Sequence, residues 1–136
     1  MAFDPRTIFL LDAAGAGLSV VLLGGVLPAI QPWIGLPHDV LAGLALWAVA
    51  CLTYSLACYR FADPRAPRWL RGIMLANLGY CALTGALVWA HFEALTPLGV
   101  AYFIGEMPVL GGLVWYEFSV FRRAFSSPDA AARSNP

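Results

Sequence analysis

The chain of 136 residues contains no lysine, and only 12% of its residues are charged. An ordinary soluble domain carries about twice that share. So few charges cannot clothe a water-facing surface, which excludes the soluble classes. No basic stripe interleaved with aromatics is present, so nucleic acid is not an expected partner. The three cysteines, Cys51, Cys58 and Cys81, stand in apolar runs with no C-x-x-C pair, which excludes a membrane thiol oxidoreductase. Cysteine is a common buried small hydrophobe, so free thiols are expected. Cys51 and Cys58 fall two helical turns apart, about 10 Å, too far to bridge. No internal repeat, metal motif or nucleophile–base pair is visible, and no cofactor is predicted.

What is present is apolar: hydrophobic residues make up 60% of the chain. A spanning helix needs about 20 consecutive apolar residues. Four stretches qualify, at residues 8–30, 39–60, 69–91 and 98–121. The breaks between them hold Pro32, Gly35 and Pro37, then Pro64 and Pro67, then Pro97, which is turn chemistry. Asp4 before the first run and Asp12 inside it argue against a cleaved leader, so the first span is expected to be retained. The fold class predicted is all-α: an integral membrane four-helix bundle of antiparallel spans. It occupies residues 1–125 and is followed by a polar cytoplasmic tail at 126–136.

The charged residues orient this bundle. All eight basic residues are arginines. Arg6 precedes the first span, Arg60, Arg65, Arg68 and Arg71 surround the second break, and Arg122, Arg123 and Arg133 follow the fourth span. The other two breaks have none. The positive-inside rule then predicts a multi-pass protein of the bacterial inner membrane with both termini cytoplasmic. Trp33, Trp89 and Trp69 fall near span ends, where interfacial anchors belong.

Polar residues within the spans recur at helical spacing. Cys51, Tyr54, Ser55 and Cys58 form one stripe; Asn77, Tyr80, Cys81 and Thr84 form another. Asp12, Gly15, Ala16 and Ser19 repeat the pattern with small residues. Tyr102, Glu106 and Glu117 share a face of the fourth span. In lipid such stripes turn inward, where small residues let backbones approach. Ser, Thr and Cys on them are read as glue between helices, and Gly72 with Ala76 as a small-residue contact.

The intramembrane charges are the candidate functional residues. Counting along each helix places Asp12 and Glu117 about 6 Å inside the arginine-rich boundary, with Arg71 about 3 Å inside it. These three are expected to cluster, with Arg71 bridging the carboxylates. Glu106 lies about 12 Å from the opposite boundary, where an acidic residue costs around 3 kcal/mol on insertion scales. No arginine shares its depth. Asn77, Thr84, Tyr102 and Tyr80 are its expected companions in a ligand or proton site. Pro108, two residues on, cannot donate to the carbonyl of Ile104. The expectation is a kinked polar notch facing the interior. His38, Asp39, His91 and Glu93 sit at span ends on the other face. They are a metal-site candidate by residue type, set against plain solvated loop ends.

These features predict a small polytopic membrane protein whose ionisable interior binds or transports a small molecule or a proton. The alternative is a non-catalytic accessory or assembly subunit of a larger membrane complex. An intramembrane enzyme is a third reading that no motif supports. The expected partners are the lipid bilayer, an apolar or amphipathic small molecule, and a second copy or larger complex.

Overall fold

The computed structural model describes residues 5–63 and 66–125. Pro64, Arg65, Asp4 and the predicted tail at 126–136, with Arg133, lie outside the described residues. No strand occurs among those described. Four helices are long and apolar enough to cross a membrane, over Arg6–Ala29, His38–Phe61, Pro67–Ala90 and Pro97–Arg123. These agree with the spans read from hydropathy to within two residues at every end.

Helix α1, Pro5–Val21, runs on through a wider π-turn at Leu22–Val26 and a last turn at Leu27–Ala29. Pro28 has no N–H to give to the carbonyl of Gly24, so the regular ladder is interrupted there in any case. Two glycines, Gly24 and Gly25, sit inside the π-turn. A short helical turn, Gln31–Ile34, follows and ends at Gly35 with φ +92°. Gly35 is required twice over. Its conformation is left-handed, and a Cβ there would run into the carbonyl of Ala94.

Helix α2 is His38–Phe61, α3 is Pro67–Ala90 and α4 is Pro97–Phe125. Both α3 and α4 begin with proline, which suits the first helical position because its missing N–H is unneeded there. Thr96 caps α4: its hydroxyl accepts from the N–H of Gly99 at 3.2 Å. The same hydroxyl donates to the carbonyl of Trp33, and the Thr96 N–H donates to that of Ile34 at 3.1 Å. One residue therefore starts α4 and ties it to the first connection. Helix α4 continues unbroken through Pro108.

Helix α1 packs chiefly on α2, α3 on α4, and α2 on α3. At the end away from the arginines, Leu23, Leu27, Leu41, Leu44, Tyr80 and Phe103 form the main apolar core. At the arginine-rich end, two smaller clusters gather Phe9, Cys58 and Ile73, and Ile8, Leu70 and Val120. Outside these, large apolar side chains face outward all along the bundle, such as Leu18, Leu46, Leu75 and Val109. A soluble protein would aggregate through such a surface; hydrocarbon is its natural solvent. All three cysteines are free thiols. Trp33 and Trp89 are exposed at span ends, and Arg68 stands 5.4 Å over the ring of Trp69.

Gly72 has a more specific reason than close helix approach. A Cβ there would collide with the hydroxyl of Tyr54, which reaches across from α2 to donate to the carbonyl of Trp69 at 3.3 Å.

Candidate functional site

Between the apolar clusters lies a polar centre to which every long helix gives one side chain. Asp12 comes from α1, Ser55 from α2, Asn77 from α3 and Glu117 from α4. All four are buried; Asp12 is 2% exposed and Glu117 0%. Their neighbours one turn away, Ile8, Phe9, Cys58, Ile73 and Val120, belong to the apolar clusters at the arginine-rich end. Helical spacing thus places a greasy layer directly beneath the polar one.

Asn77 is the hub. Its amide nitrogen donates to Asp12 Oδ1 at 2.5 Å and to Glu117 Oε1 at 3.0 Å. Both protons of one amide are thereby used on two carboxyls. The Ser55 hydroxyl donates to Asp12 Oδ2. Glu117 Oε2 is buried with no hydrogen-bond donor facing it. One amide nitrogen thus holds the Asp12 and Glu117 carboxyls side by side. Two ionised carboxylates offer only acceptors, so the pair depends on Asn77 and Ser55 for its donors.

Arg71 does not join them. It is exposed on α3, and its guanidinium lies 5.5 Å over the ring of Phe121. The carboxylates are bridged by an amide and a hydroxyl instead of a cation. The expected cluster of Asp12, Arg71 and Glu117 is therefore corrected: its two acids meet, and its arginine faces outward.

Nearer the middle of the bundle, the Tyr80 hydroxyl donates to Glu106 Oε1 at 3.1 Å. Glu106 Oε2 is buried without a partner, as is Thr84 Oγ1 one turn along α3 from Tyr80. Tyr102, one turn from Glu106, is half-buried against the main core, and its ring meets that of Phe103 edge-on at 4.9 Å. Of the companions expected for Glu106, Tyr80 is bonded to it, Asn77 is engaged in the other centre, and Thr84 bonds nothing. The proline notch also differs from expectation. Pro108 and Ile104 are both exposed, so the backbone bond that proline removes is missing on the outward side of α4, away from Glu106.

A small cavity lies beside Asp12 and Asn77 and reaches Tyr80. Asp12, Ser19, Cys51, Asn77, Tyr80 and Leu110 are among the residues that line it, and its volume is about 20 Å³. A water needs about 10–15 Å³ by that measure, so the cavity has room for one. Tyr80 belongs to both places: its hydroxyl serves Glu106, and its side chain walls the cavity beside Asn77.

On the far face the four metal candidates do not assemble. Among the described residues no three His, Cys, Asp or Glu side chains are grouped as a metal site. His91 Nδ1 is 3.0 Å from the carbonyl of Leu87 in its own helix, while His38, Asp39 and Glu93 are exposed.

Sequence reasoning missed Ser55 as a site residue, reading it as glue. The available signal was its place one turn from Cys51 and Cys58 on the inward stripe of α2. Comparison of the chain with protein families, curated proteins and solved structures finds no match.

Proposed function

We propose that the chain is a proton-binding membrane protein that carries a proton between Glu106 and the Asp12–Glu117 pair. The observation that carries this reading is a water-sized cavity lined by Asp12, Asn77 and Tyr80, with the Tyr80 hydroxyl bonded to Glu106. Sites for small organic ligands measure about 300–1,000 Å³. A space of about 20 Å³ with room for one water suits a proton and its water carrier, and it rules against a larger cargo at this place. Of the two cargoes expected from the sequence, a small molecule or a proton, the geometry favours the second.

The proposed steps use side chains already in place and one water. A carboxylate charge at the Asp12–Glu117 pair is the proposed resting place for the proton. Asn77 and Ser55 solvate that charge with three hydrogen bonds. Tyr80 can turn its hydroxyl from Glu106 towards a water in the cavity, passing one proton on as it accepts another. On the arginine-rich side, the layer of Ile8, Phe9, Ile73 and Val120 closes the route. The centre therefore stores a proton until that layer parts, and the protein is not a constant leak.

The topology proposed with it is four antiparallel spans with both ends on the cytoplasmic face of a bacterial inner membrane. The one-sided distribution of arginine supports it. The short connections also support it, since they allow only neighbouring helices of opposite direction.

The test is proton movement in proteoliposomes containing a pH-sensitive dye, under an imposed potential. Glu117→Gln keeps the shape and replaces the carboxyl with a fixed amide, so flux should fall to the empty-vesicle level while thermal stability is retained. Glu106→Gln should do the same. Unchanged flux in both variants, or no flux above empty vesicles in the wild type, would overturn the reading.

A further inference from the structure

A large recess lies away from the polar centre. It is an outward-facing groove between α3 and α4, of about 690 Å³, with Met74, Leu78, Trp115, Phe118 and Phe121 among its walls and Arg71 at one end. Trp115 is 70% exposed, so no part of the described chain covers it. No carboxylate is among its lining residues. Two guanidiniums flank its arginine-rich end, one from each helix: Arg71 lies 5.5 Å over the ring of Phe121, and Arg122 lies 5.9 Å over that of Phe118. Both rings are groove walls. The cations are thus laid along the apolar channel at its mouth, at the depth where the span meets the headgroup region.

The geometry points to a specific seat for an anionic phospholipid, its acyl chain in the groove and its phosphate between Arg71 and Arg122. Guanidinium binds phosphate through paired N–H donors, with strength and direction that an ammonium lacks. Basic pockets between spanning helices on the cytoplasmic side are a recurring form of anionic headgroup recognition. The groove is long and apolar where a chain would lie and cationic only where a headgroup would. A second protein copy would need acidic residues to meet the two arginines. The exposed acids Asp39 and Glu93 are at the other end of the spans, and Asp63, in the connection between α2 and α3 at the arginine-rich end, is not among the groove's lining residues. The inference is independent of the proton reading, since no groove residue belongs to the polar centre.

The experiment is native mass spectrometry of delipidated protein in mild detergent, titrated separately with dioleoylphosphatidylglycerol and dioleoylphosphatidylcholine. The wild type should retain the anionic lipid preferentially. Arg71→Gln and Arg122→Gln, both exposed positions that leave the bundle intact, should each cut its retention about five-fold. Gly111→Phe should abolish it, because a side chain at Gly111 meets nothing within 4 Å and would fill the groove. Equal retention of the two lipids, or indifference to both arginine substitutions, would sink the proposal. So would dimerisation on delipidation that Gly111→Phe prevents, which would assign the face to a second copy.

Discussion

The two polar layers of this bundle solve the same problem to different degrees. The layer near the arginine-rich end draws one side chain from each of four helices and binds its two acids with three hydrogen bonds. The layer near the middle has one bond, Tyr80 to Glu106, and leaves two polar oxygens unpartnered, against one, Glu117 Oε2, in the first. The difference is one of commitment. Two adjacent acids are tolerable in hydrocarbon only if donors surround them, and the donors must come from different helices. That requirement fixes the rotation of all four. A single acid with a single donor fixes only α3 against α4, and it leaves the donor free to change partner. The first layer specifies the assembly; the second is where movement is cheap.

Substitutions can break this contrast. The largest effect belongs to Asn77→Leu, which strips both carboxyls of their common donor. Thermal unfolding in detergent should show a loss of about 3 kcal/mol, the upper end for orphaning a buried polar group. Next comes Ser55→Ala, which removes one of the two donors to Asp12 and should cost about 1.5 kcal/mol. Tyr80→Phe removes the sole bond of the other layer. It should cost only about 0.6 kcal/mol, the average for an interhelical hydrogen bond in a membrane, yet abolish proton flux. Smallest is Thr84→Val. Its hydroxyl bonds nothing, so the change should be neutral, or stabilising by up to about 1 kcal/mol. If Tyr80→Phe proves more damaging to stability than Asn77→Leu, the ranking of the two layers is wrong.

The four spans were legible because apolar run length and turn residues speak directly to bilayer thickness. The meeting of Asp12 with Glu117 was legible too, since counting residues gives depth. What depth does not give is direction around the helix. Arg71 and Asn77 are six residues apart, which turns them about 120° from each other, and Asn77 faces the acids. Pro108 is two residues from Glu106, about 200° round the helix, so the carbonyl it frees could not face the same interior. Both misreadings come from weighing height without azimuth. Ser55 was hidden for a different reason. A hydroxyl on an inward stripe serves equally as glue or as a ligand, and only the register of α1 against α2 decides which.

The four-helix origin of the inner centre also bears on how the protein is made. Spans enter the membrane in order, and Asp12 arrives with the first of them. Ser55 can meet it when the second span is in, and Asn77 when the third is. Glu117 comes last, with the fourth span. Until then the amide of Asn77 has a proton to spare, and the acid of the first span lacks its counterpart. A chain stopped after Ala90 would carry a half-satisfied centre against lipid. A polar group left facing lipid is costly, so the closing of this centre marks the point at which all four spans have assembled.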